Sequence, residues 1–179
     1  RGNAGSVGQA LSHLKEALTL RPSDQDLVDE YRLAVGYVAG SEAYDRGDWA
    51  VAADRWEPLF AMRPDYQNGV LRQKLYDSYP RAARELVSDA SGSVRLLTQA
   101  IDYFDQALVV DPGNVELQQE RELAVEYLAG LEAYVKSDLD LAISHWGPIY
   151  AVRPDYQNGV LAENLRAACS QSAAPNEQY

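Results

Sequence analysis

Apolar residues recur every three or four positions along most of this chain, as in Leu11, Leu14, Ala17 and Leu18 and again in Ile101, Phe104, Ala107 and Leu108. That spacing is the period of a helix with one buried face. No stretch of four to eight residues alternates apolar and polar between turn signals, as a half-buried strand would. The pattern predicts an all-α chain of about eight helices, over 5–20, 24–46, 49–61, 67–88, 94–110, 114–136, 139–151 and 157–171. Asp24 and Asn114 each follow a proline and precede a long periodic segment, where a side-chain oxygen is placed to accept from the first free amides. Gly47 and Asp48 mark a tight turn between a long and a short helix, and Ser137 and Asp138 take over at the second occurrence. The opening RGNAGS and the closing SAAPNEQY (172–179) carry no apolar period and are expected to fray.

The helical pattern is written twice. Residues 64–71, PDYQNGVL, return letter for letter at 154–161, and laying 9–79 on 99–169 without a gap gives 31 identities in 71 positions. A gapless period of 90 residues identifies a repeat architecture, a single solenoid of two periods at about 1–90 and 91–171. Prolines that close apolar helical stretches fall at 22, 64, 112 and 154, so each period divides again into two units. Within PDYQNGVL, the proline ends one helix, Asp65 or Asn68 is placed to cap the next, Tyr66 to plug the gap between helices, and Gly69 to allow close backbone approach. Pro58, Pro80 and Pro148 lie inside helical patterns and are expected to kink or break them.

Residues 40–64 read GSEAYDRGDWAVAADRWEPLFAMRP, and here the chain resembles the tetratricopeptide repeat family. The residues that carry the resemblance are Gly40, Tyr44, Gly47 with Asp48, Ala52, Trp56 and Pro64. In the second period they are Gly130, Tyr134, Asp138, Ala142, Trp146 and Pro154, with Ser137 where glycine is usual. Small residues let two antiparallel helices approach and the tryptophan fills the space beside them. The resemblance implies a right-handed α-α superhelix, or solenoid, of antiparallel helix pairs. Here the units exceed the usual repeat of about 34 residues by roughly two and four helical turns, so the first helices are lengthened with the same face kept inward.

In that family the first helices of each pair line a concave groove that binds peptides. The resemblance carries this role to Tyr37, Ser41, Tyr44 and Asp45, to their copies Tyr127, Leu131, Tyr134 and Val135, and to Arg72, Tyr76 and Tyr79 on the central long helix. Tyrosine offers large area at little entropic cost, which suits recognition. The basic clamp with which some members hold a chaperone's terminal carboxylate is missing, because its places hold Tyr37, Ser41, Tyr127 and Leu131.

A net charge of −11 argues against nucleic acid, whose phosphates call for clustered Lys and Arg. The two halves differ, with 11 basic and 14 acidic residues in 1–90 against 5 and 13 in 91–179. No run of 18 apolar residues would span a membrane, and no signal-peptide pattern opens the chain. The single cysteine, Cys169, has no internal disulfide partner, and the compartment stays open between cytoplasm and an exported protein. Because the chain opens on Arg1, a processed protein or an excised fragment is expected. No phosphate loop, metal-ligand spacing or nucleophile–base pattern appears, and His13 and His145 align with Tyr103 and Arg55, so neither a cofactor nor catalysis is expected. A non-catalytic scaffold binding a protein or peptide is the leading expectation. The alternative is a self-assembling subunit: the chain opens on a second-type helix and closes on a first-type helix, which another copy, head to tail, would pair.

Overall fold

The computed structural model describes residues 2–173. Among them it has eight α-helices and no strand: α1 (Gly2–Leu20), α2 (Gln25–Arg46), α3 (Trp49–Met62), α4 (Val70–Asp89), α5 (Val94–Val110), α6 (Val115–Val135), α7 (Leu139–Val152) and α8 (Val160–Ser172), with a 3₁₀ turn at Tyr156–Gly159. Every predicted helix forms, with bounds within three residues of those read from the pattern. The opening segment is helical from Gly2 rather than frayed, and α8 runs to Ser172, whereas 174–179 lie outside the described residues.

Local chemistry sets the boundaries. Asp24 accepts from the Leu27 amide at 3.3 Å and Asn114 from the Leu117 amide at 3.1 Å, capping α2 and α6. Gly47 closes α2 at φ 87°, where its N–H donates to the Tyr44 carbonyl at 3.0 Å and Asp48 N–H to the Ala43 carbonyl at 2.9 Å. At the second occurrence Ser137 adopts φ 62° and the same two bonds form, at 2.9 and 3.0 Å. A serine thus carries the left-handed conformation that glycine adopts without strain.

The PDYQNG segments depart from expectation. The next helix begins at Val70 and Val160, three residues late, because Gln67 and Asn68, like Gln157 and Asn158, take left-handed φ of 54–57°. In the second copy, neither Asp155 nor the cap residue Gly159 makes a side-chain capping bond. Nothing lies within 4 Å of a Cβ built on Gly69, so its φ of 81°, not close approach, is what calls for glycine. The three internal prolines do not end their helices: Pro58, Pro80 and Pro148 each lie within a continuous α3, α4 or α7. Each removes one helical N–H. In α3 and α7 the buried neighbours Trp56 and Leu59, or Trp146 and Ile149, anchor both sides of the proline.

The chain divides into two compact units inside α4, after Ala82. In the first, α2 packs on α1 and α3; in the second, α6 packs on α5 and α7, and α7 on α8. Each unit is built round one motif. Trp56 is fully buried, its Nε1 donating to the Tyr37 carbonyl at 3.3 Å, with Tyr44 at 5.6 Å and Tyr66 edge-on to Tyr37 at 5.7 Å. Trp146 repeats this with the Tyr127 carbonyl at 3.1 Å, Tyr134 at 5.6 Å and Tyr156 edge-on to Tyr127 at 5.4 Å. A Cβ on Gly40 or Gly130 would fall 2.2 Å from the indole nitrogen, so only glycine admits the ring. The sequence reading of glycine and tryptophan as partners in close helix approach holds in both units.

Candidate functional site

The eleven residues assigned to a partner-binding groove separate by exposure. Tyr37, Ser41, Tyr79, Tyr127 and Leu131 are buried, so in this fold they hold helices together and present no face. Tyr44, Tyr76 and Tyr134 are half-buried, and Asp45, Arg72 and Val135 are exposed. In the first unit Tyr44 joins a polar seam with α4: its hydroxyl donates to Asp77 at 2.5 Å, Lys74 Nζ sits 4.8 Å from its ring, and Arg81 lies 4.6 Å from the Trp49 ring. Burial, and then the Asp77 bond, raise the Tyr44 pKa above the ordinary phenol value. Arg72 stacks on Phe60 at 5.7 Å and Tyr76 meets the same ring edge-on at 5.9 Å, so these two also close the α3–α4 seam. In the second unit the Tyr134 hydroxyl accepts from Gln171 at 3.0 Å and the Tyr127 hydroxyl from Asn164 at 3.1 Å.

Open concave surface lies elsewhere, beside the helix-internal prolines. In the first unit a groove of about 470 Å³ runs between α2 and α3, with Val35, Pro58, Leu59 and Met62 supplying apolar surface and Arg32 and Arg55 charge. Its equivalent between α6 and α7, about 610 Å³, sets Leu123, Pro148, Ile149 and Val152 beside Glu122, Glu126 and His145. Val35, Met62 and Val152 are 41%, 44% and 70% exposed, apolar side chains left facing solvent within a cleft. The rims carry opposite net charge once Asp54 in the first groove and Arg153 in the second are counted, Arg32 and Arg55 outweighing Asp54, and Glu122 and Glu126 outweighing Arg153. Arg32 aligns with Glu122 and Arg55 with His145 across the 90-residue period. Arg32 leans on Asp29 at 3.2 Å, an exposed pair worth little, and Arg55 makes no ion pair among the described residues. His145 Nδ1 lies 2.7 Å from Glu126, so this histidine has a partner that the sequence alone did not reveal.

Pro58 and Pro148 occupy equivalent places across the 90-residue period, yet their sequence pattern alone marks no site there. Val35, identical to Val125 at its copy, was the available signal: an apolar residue kept at a position the solvent still reaches. Among the described residues no three His, Cys, Asp or Glu side chains gather as metal ligands would, and no helix is long and apolar enough to cross a membrane. Cys169 is exposed. Comparison of the chain with protein-family models, with curated proteins and with solved structures returned no match.

Proposed function

We propose that this chain is a non-catalytic binding scaffold of tetratricopeptide-like helix pairs whose two proline-side grooves each take an apolar peptide segment. The observation that carries the reading is the recurrence of one groove at equivalent positions of both copies with its rim charge reversed. An apolar cleft with a few charged groups at its margin suits the docking of a short segment through one or two anchor side chains. The rim then selects by charge: Arg32 and Arg55 favour acidic flanks in the first unit, and Glu122 and Glu126 favour basic flanks in the second. One chain would thereby hold two different partners, or two differently charged stretches of one partner.

Met62, the single methionine of the chain, stands in the first groove and His145 in the second, so each groove has its own spectroscopic reporter. Two peptides with the same Leu/Phe anchor and either acidic or basic flanks are titrated into the protein. The acidic peptide is expected to shift the Met62 methyl resonance and the basic one the His145 ring, each at least three-fold more tightly than the other. Reporters that stay still at millimolar peptide, or that respond alike to both peptides, would remove this assignment.

A further inference from the structure

The two PDYQNG turns are identical in sequence and nearly so in backbone, with φ of 54°, 56° and 81° at Gln67, Asn68 and Gly69 and of 57°, 55° and 90° at Gln157, Asn158 and Gly159. Two successive non-glycine residues in the left-handed region are strained, and such strain persists where the surroundings over-determine it. In the second unit the reason is visible: the turn grips a helix end. Gln157 Nε2 donates to the Val87 carbonyl at 2.6 Å and Asn158 Nδ2 to the Ser88 carbonyl at 3.4 Å. Both carbonyls belong to the last turn of α4, where no later helical amide reaches them. One turn earlier, Arg84 Nε donates to both carboxylate oxygens of Glu120, at 2.8 and 3.1 Å.

In the first unit the same side chains are paired differently. Among the described residues Gln67 reaches no helix-end carbonyl, whereas Gln157 donates to α4 and the Tyr156 hydroxyl beside it is buried without a partner. Glu30, the copy of Glu120, pairs with Arg63, the copy of Arg153. Asn68 makes no side-chain hydrogen bond among the described residues. Gln67 is half-buried where Gln157 is only 5% exposed. Three pairings therefore differ together at one place, and among the described residues only those of the second unit meet a helix end.

We infer that the turn at 64–69 is a receptor for the C-terminal turn of an α4-type helix. The ligand presents two free backbone carbonyls and, three and four residues before them, an arginine. On docking, Gln67 takes the first carbonyl, Asn68 takes the second, and Glu30 exchanges Arg63 for the incoming arginine. None of Glu30, Arg63, Gln67 and Asn68 lines the proline-side groove of the first unit.

The probe is a synthetic peptide of residues 76–92, helix-stapled on its solvent face so that an unformed short helix does not imitate a missing site. It is titrated into the isotopically labelled chain. Saturable shifts of the Gln67 and Asn68 side-chain amide resonances are expected, weakened at least ten-fold in the double variant Q67E/N68D and several-fold when the peptide carries Arg84→Ala. Both substitutions in the chain are near-isosteric, and Asp tolerates the left-handed φ. Unchanged helicity of the double variant confirms that it folds. No shift at Gln67 and Asn68 with millimolar peptide, or equal affinity for the folded double variant, would overturn the inference.

Discussion

Compared position by position, the two units keep their centres and rebuild their surroundings. Each centre is a glycine that admits an indole, with the indole N–H on the carbonyl of a buried tyrosine. Round it, the first unit uses charge: Asp77 on Tyr44, Lys74 over Tyr44 and Trp56, Arg81 over Trp49. The second unit uses neutral amides, Asn164 on Tyr127 and Gln171 on Tyr134. Lys74 aligns with Asn164, Arg81 with Gln171 and Asp77 with Ala167, so the partner of the Tyr134 hydroxyl comes from the Arg81 position rather than from that of Asp77. Geometry at the centre leaves a single solution, because a 2.2 Å approach tolerates no added atom. The seam accepts any group that satisfies a phenol and covers a ring.

The largest test of that contrast falls on the centre. Trp56→Ala and Trp146→Ala should each cost about 3–5 kcal/mol, and Gly40→Ala and Gly130→Ala about 3 kcal/mol through overpacking. Urea denaturation followed by circular dichroism measures these losses. Costs that differ between the units by more than about 1.5 kcal/mol would show that the centres are not equivalent.

The seam should behave unequally. Asp77→Ala removes a charged acceptor from a half-buried phenol and should cost about 1–2 kcal/mol, whereas Gln171→Ala, on the exposed side, should cost well under 1 kcal/mol. Added salt should weaken the stability of the native chain more than that of Asp77→Ala. Equal losses from the two substitutions would break the distinction between a charged and a neutral seam.

Alkaline stability tests both units together. Burial raises the pKa of Tyr66, Tyr79 and Tyr156, and it pushes Tyr127 up to about 12 against the opposing Asn164 bond. The fold accommodates the neutral phenol, so this contribution is complete below the unfolded value of about 10 and is lost as pH rises through the folded one. Stability should therefore fall steadily from pH 10 to 12, and Tyr127→Phe should make that fall shallower. A flat profile over this range would contradict the burial of these rings.

The smallest effect concerns Ser41, buried at 1% exposure with its hydroxyl unpartnered, where the second unit has Leu131. Ser41→Ala should be neutral or stabilising by up to about 1 kcal/mol, since it removes a desolvated polar group. A loss of more than 1 kcal/mol in the same denaturation assay would reveal a partner for that hydroxyl.

The sequence by itself determined the eight helices, most of their bounds, the caps at Asp24 and Asn114, and the glycine–tryptophan centres. These features rest on local periodicity and short-range sterics, which a linear chain displays openly. Only the tertiary structure decided which tyrosines face inward. Tyr37 and Tyr127 stand on helices packed on more than one side, and periodicity marks an apolar stripe without saying how many neighbours cover it. It also decided what PDYQNGVL does. Gln157 finds its acceptor at Val87, 70 residues away, and no local pattern encodes that distance. Two identical octapeptides therefore end in different hydrogen-bond states because, among the described residues, a helix end reaches only the second.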